Sequence, residues 1–149
     1  MLTDISEVKT GSERVEEMLR ARGIMPTAQR VLIGRELLLR PQHISAEQLL
    51  ARVNMQGNVV SKATIYNTLG LFAEKGLIRE VIIDPNKLFY DSNTSPHHHV
   101  YHLDDGMLED ISEEQVGVAQ LPTLPEGLQV EGVDIIIKVR RARAQRISD

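Results

Sequence analysis

Apolar residues recur at helical spacing in the first half of the chain and at alternating spacing in the second. Val15, Met18 and Leu19 begin the helical series, with Ser12 placed to cap it and Gly23 to close it. Val31, Ile33, Leu37 and Leu38 give a second helix one apolar side, between Pro26-Thr27 and Pro41. Ser45-Ala46-Glu47-Gln48 has the form of a capping box, and Leu49, Leu50 and Val53 follow as a short buried face before Gly57 breaks the chain. Ser61 caps a fourth predicted helix over 62–75, stopped by Gly76. Residues 77–83 and 87–90 read as strands joined by the turn Asp84-Pro85-Asn86. Three or four helices followed by a hairpin is the order of a winged helix-turn-helix.

Beyond the hairpin the period changes. Residues 100–103 and 107–111 read as strands around Asp104-Asp105-Gly106, and 112–119 as a brief helix capped by Ser112. Pro122 and Pro125 bracket a linker. The longest predicted strand is 128–139, and its alternation changes phase. Leu128 and Val130 share one parity, while Val133, Ile135, Ile137 and Val139 share the other. A β-bulge at Gly132 would bring all six to one side. Ile136 on the opposite face calls for cover from a second subunit. The fold class is therefore α+β, with an N-terminal winged helix-turn-helix domain over 1–84 and a small α/β dimerisation domain over 97–149. Residues 1–12 form a flexible arm within the first domain, and 85–96 hold the end of the wing and a hinge. Arg140-Arg141-Ala142-Arg143 reads as a solvated tail.

Composition narrows the classes. An apolar fraction of 42% supports a packed core, and 3% aromatic content without tryptophan makes that core aliphatic. The absence of cysteine excludes disulfides and thiolate zinc sites. No apolar run approaches the ~20 residues that span a bilayer, and the first ten residues are too polar for an export signal, so no membrane partner and a cytoplasmic location are expected. The net charge is −4. Residues 1–84 hold eleven basic against ten acidic side chains, and the remainder six against eleven. If DNA is bound, the first half binds it.

Two constellations carry chemistry. In extended chain His97 and His99 point to one face and His98 to the other, and two imidazoles with nearby carboxylates suit a divalent first-row metal. On the fourth helix Ile65, Leu69 and Phe72 form the packing stripe, while Lys62, Ala63, Tyr66, Asn67 and Gly70 form the opposite arc. Such a small, polar arc can enter a major groove, with Tyr66 and Asn67 at base edges and Lys62 at phosphate. A metal-dependent hydrolase would use the same His and Asp residues, but no His-Glu-x-x-His helix, nucleophile elbow or poised general base accompanies them, so no enzyme is expected. A metal- or haem-buffering protein would leave the fourth helix and the hairpin unused.

The segments Gly23-Ile24-Met25-Pro26-Thr27-Ala28-Gln29-Arg30, His43-Ile44-Ser45-Ala46-Glu47 and Ser61-Lys62-Ala63-Thr64-Ile65-Tyr66-Asn67-Thr68-Leu69, followed by the histidine tract, resemble the ferric uptake regulator family over about 12–140. Phe89-Tyr90-Asp91 and Pro125-Glu126-Gly127 resemble its iron response regulator branch. Asn67 stands where many members carry arginine. The resemblance implies a homodimer that reads AT-rich inverted repeats in double-stranded DNA and controls iron or haem homeostasis genes. Thr64 and Arg30 join Lys62, Ala63, Tyr66 and Asn67 as expected DNA contacts. It assigns the regulatory metal (Fe, Mn or Zn) to His43, Asp91, His97, His99 and Asp110. The structural four-cysteine zinc of many members is excluded, because His102 and Asp105 stand at the positions of the first cysteine pair. A further histidine-rich site is eroded at Pro96 and Gly117. The iron response branch associates the tract with haem, which makes His98 and His102 candidates for haem or a second site. Manganese, zinc or peroxide response within the same family is the alternative.

Overall fold

Thr10 starts the first helix, α1 (Gly11–Ala21), its hydroxyl accepting the Glu13 N–H at 3.1 Å. The cap thus falls two residues before the expected Ser12, because the Thr10 hydroxyl is the one that takes up a free N–H of the first turn. Thr27 caps α2 (Ala28–Leu37), the Ser45/Gln48 box caps α3 (Ala46–Val53), and Ser61 caps α4 (Lys62–Glu74). Each of these starts where the local cap predicts. The computed structural model describes residues 8–142 and divides between Thr94 and Ser95 into two units. Residues 1–7 of the expected arm and Arg143 of the expected tail lie outside the described residues.

In the first unit the four helices enclose one aliphatic core, with Leu19, Ile33, Leu37, Leu49, Ile65, Leu69 and Phe72 almost wholly out of water. Asn54 sets the turn between α3 and α4. Its carboxamide oxygen accepts the Val59 and Val60 N–H groups, and its nitrogen donates to the Val60 carbonyl at 2.7 Å. Helix α1 crosses α2 at Gly34, where an added Cβ would lie 2.5 Å from Val15 Cγ1. Gly34→Ala should therefore destabilise the unit by about 1–3 kcal/mol through overpacking, in spite of alanine's better helix propensity. Urea denaturation measures this, and an unchanged midpoint would refute the close crossing. A three-stranded antiparallel sheet completes the unit: β1 (His43–Ile44), β2 (Arg79–Asp84) and β3 (Lys87–Asp91), in the order β1-β3-β2.

The second unit is built on β4 (His97–His102), flanked by antiparallel β5 (Leu108–Ser112) and parallel β6 (Ile136–Val139). Strand β4 starts three residues before the predicted 100–103, so the histidine tract is itself the central strand. The predicted helix 112–119 shrinks to one 3-10 turn, Glu113–Gln115. The predicted strand 128–139 survives only as β6, and the expected bulge at Gly132 does not form. A strand needs a neighbour to receive its backbone hydrogen bonds, and only 136–139 runs beside β4; Leu128, Val130 and Val133 lie exposed. Among the described residues, the buried apolar side chains of this unit are Tyr101 and Leu108. No helix of the described residues is long and apolar enough to cross a membrane.

Candidate metal centre and nucleic-acid face

Strand alternation turns His97 and His99 to one face of β4, and the β4–β5 register sets His99 opposite Asp110. Both imidazoles are buried, with ring centroids 4.6 Å apart. Their Nε2 atoms lie 3.5 and 3.3 Å from one oxygen of Asp110, whose side chain is 44% exposed. All three residues offer a ligand atom within 4.8 Å of the others. His97 Nδ1 sits 2.7 Å from the Ser95 carbonyl. A carbonyl can only accept, which assigns the proton to Nδ1 and leaves a lone pair on Nε2. The His97 lone pair, the His99 Nε2 and a carboxylate oxygen then lie within a few ångströms of one another, an arrangement that a cation between them satisfies. The donor set fits a divalent metal, and the Ser95 carbonyl orients the ring as outer partners of metal-bound histidines do.

His98 points the other way. Its buried ring accepts the Ile135 N–H at Nδ1, 3.1 Å, and so ties β4 to the chain entering β6. His102 Nε2 lies 3.2 Å from a Glu109 oxygen. That nitrogen is buried without a well-aligned hydrogen bond, so the contact counts as an ion pair only when the ring is protonated. His98 and His102 are separately engaged rather than gathered around a common point.

In the first unit His43 and Asp91 are direct partners in the β1–β3 ladder, and Asp91 is fully buried. Cross-strand partners have Cβ atoms roughly 5 Å apart on one face. Their neighbours are linked too: Gln42 N–H donates to Ser92 Oγ at 2.9 Å. The Gln42 carboxamide donates to the Glu36 and Leu37 carbonyls at the end of α2 and accepts from Arg52 of α3. Neither Gln42 nor Ser92 stood out in the sequence, where no local pattern marks them.

On α4 the burial follows the wheel. Ile65, Leu69 and Phe72 are buried, while Lys62, Ala63, Tyr66, Asn67 and Gly70 are exposed. Thr64 is half-buried, its hydroxyl 2.9 Å from Ser61 Oγ. The Lys62 ammonium stands 5.9 Å from the Tyr66 ring centroid, within cation–π reach. Tyr66 donates its hydroxyl proton to Glu47 Oε1 at 2.6 Å. That bond holds the Glu47 carboxyl below the usual carboxylate range and raises the Tyr66 phenol. Arg30 is half-buried, with Nη1 donating to the Met25 carbonyl at 3.0 Å.

The model of the ferric uptake regulator family matches residues 21–138. The chain belongs to that family. Ferric uptake regulator family proteins are metal-responsive, DNA-binding transcription regulators rather than enzymes. Over 116 residues the chain is 28% identical to the peroxide-responsive repressor PerR of Staphylococcus aureus strain Mu50, covering 78% of each chain. Among solved structures it resembles the ferric uptake regulator of Pseudomonas aeruginosa with manganese, at 22% identity and a TM-score of 0.65 over 85% of this chain and 97% of that one. It also resembles the Vibrio cholerae ferric uptake regulator, at 23% identity and a TM-score of 0.65 over 85% and 98%. These likenesses give the family an α+β fold here, matching the expected class.

Proposed function

We propose that this ferric uptake regulator family member is a homodimeric repressor that binds AT-rich inverted repeats through a winged helix-turn-helix and responds to a divalent metal reporting iron status. The observation that carries the metal reading is the convergence of the His97 and His99 Nε2 atoms on Asp110. His43 and Asp91 complete the ligand set on the family resemblance. Occupancy of the site would then be linked to DNA affinity. Fe(II), Mn(II) and Zn(II) all suit two or three imidazoles with carboxylates. The commitment of His98 Nδ1 to the Ile135 N–H favours an ion over haem at the tract.

Helix α4 serves as the reading helix, with Lys62, Ala63, Thr64, Tyr66 and Asn67 at the groove and β2–β3 as the wing. Arg30 joins these contacts on the family resemblance. The second unit supplies the dimer contact. It buries little apolar surface of its own among the described residues, and the edge strand β6 exposes Ile137, with Val133 exposed ahead of it. A second reading, peroxide response through the same site, is favoured by the similarity to PerR.

The test is fluorescence anisotropy of an AT-rich inverted repeat with the Mn(II)-loaded and the metal-free protein across a salt series. Loading should change affinity by about 5–150-fold, the usual scale of a linked pair of sites. Lys62→Ala should reduce the salt slope by about one, and Tyr66→Ala should cost about 1–3 kcal/mol with relaxed specificity. Parental binding by both variants at matched salt would remove α4 as the reader. Release of DNA when the Fe(II)-loaded protein is treated with peroxide would favour the second reading.

A further inference from the structure

The Tyr66–Glu47 bond decides more than where a ring sits. A phenol has one proton to give and lone pairs to receive with. At 2.6 Å from a carboxylate oxygen, the proton of Tyr66 is committed to a short, charge-assisted bond. Both ends are held. Glu47 lies in the first turn of α3, where the helix dipole favours its negative charge and the Ser45/Gln48 box fixes the backbone. Asn54 sets the turn that joins α3 to α4, and Lys62 stands by the ring.

We propose that Glu47 is a specificity-determining residue: by holding the Tyr66 proton it leaves that hydroxyl oxygen only lone pairs to offer, so Tyr66 selects a base edge that carries an exocyclic amine. In the major groove adenine N6 and cytosine N4 are donors, whereas thymine O4 and guanine O6 and N7 are acceptors. Phosphate oxygens are acceptors as well, so the same bond keeps Tyr66 off the backbone and on the bases. This inference rests on α4 being the DNA-reading helix.

The test selects binding sites from a randomised duplex library with the full-length Mn(II)-loaded protein, in parallel for the parent, Glu47→Ala, Tyr66→Phe and the double variant. Glu47 is exposed, so its truncation leaves the core intact. The parent should enrich adenine or cytosine at one position of each half-site. Glu47→Ala should lower that preference about tenfold at that position alone, the scale of one lost base contact. Total affinity should hold or rise, because a negative charge near the phosphates is gone. In the Tyr66→Phe background, Glu47→Ala should change nothing further. A uniform loss of affinity at all positions, or an undiminished preference in Glu47→Ala, overturns the role given to Glu47. If the parent enriches no sequence, or Tyr66→Phe leaves every position unaltered while another element sets the preference, the reading of α4 itself fails.

Discussion

His99→Ala is expected to lower Mn(II) affinity by more than about 100-fold, while His98→Ala changes it by less than tenfold. Outer partners of a metal already cost 10–100-fold when removed, and His99 is placed as an inner ligand. Its Nε2 lies 3.3 Å from Asp110, the ring is almost wholly buried, and His97 sits against it. Truncation removes a donor from the point where three ligand atoms converge. His98 lies on the opposite face of β4 and accepts the Ile135 N–H. Its truncation leaves that N–H without a partner and should cost about 1–3 kcal/mol of stability instead. Isothermal titration of Mn(II) into each variant separates the two outcomes. A second readout is thermal: an ion at 100 times its Kd stabilises the folded protein by about 2.7 kcal/mol, and this gain should vanish in His99→Ala. Should His98→Ala abolish binding and His99→Ala spare it, the face assignment is wrong and the other side of β4 holds the ligand.

Phe72→Ala is expected to destabilise the first unit by about 3–5 kcal/mol. Phe72 is fully buried on α4 and is the largest of the side chains that the four helices enclose. Loss of its ring leaves a cavity that an aliphatic core of branched side chains fills poorly. The same helix presents Tyr66 and Asn67 outward, so the unfolded fraction also loses its DNA affinity. Urea denaturation followed by circular dichroism measures the change, and a loss under about 1 kcal/mol would place the core elsewhere. Ile137→Ala makes a useful contrast. Ile137 is 41% exposed, so its truncation should cost little within one chain and should act through the proposed dimer, as a dependence on protein concentration.

Helix starts were legible because a cap is a local event. Thr27, Ser45 and Ser61 each satisfy an N–H three residues on, and that pattern is written in consecutive residues. The packing stripe of α4 was legible for the same reason, since helical spacing alone places Ile65, Leu69 and Phe72 together. The predicted strand 128–139 exceeds the observed β6 because alternation says which side chains share a face and nothing about whether a neighbouring strand exists. Only four of those residues found one, beside β4.

The candidate site divides along the same line. That His97 and His99 share a face, with His98 opposed, follows from the two-residue period of any extended chain. The sequence by itself determined that pair, the outward arc of α4 and the exclusion of thiolate zinc. The family resemblance named Asp110, but only the tertiary structure shows how it meets the histidines, through the register of β4 with β5. Tertiary structure decided that His43 faces Asp91, through a β1–β3 pairing between distant segments. It also decided that Glu47, nineteen residues before Tyr66, takes that hydroxyl's proton. The physical reason is the range of the interactions. Caps and periodicity act within a turn or two of chain, whereas register, burial and the geometry of a donor with its acceptor are settled only when the core closes and brings remote segments to hydrogen-bonding distance.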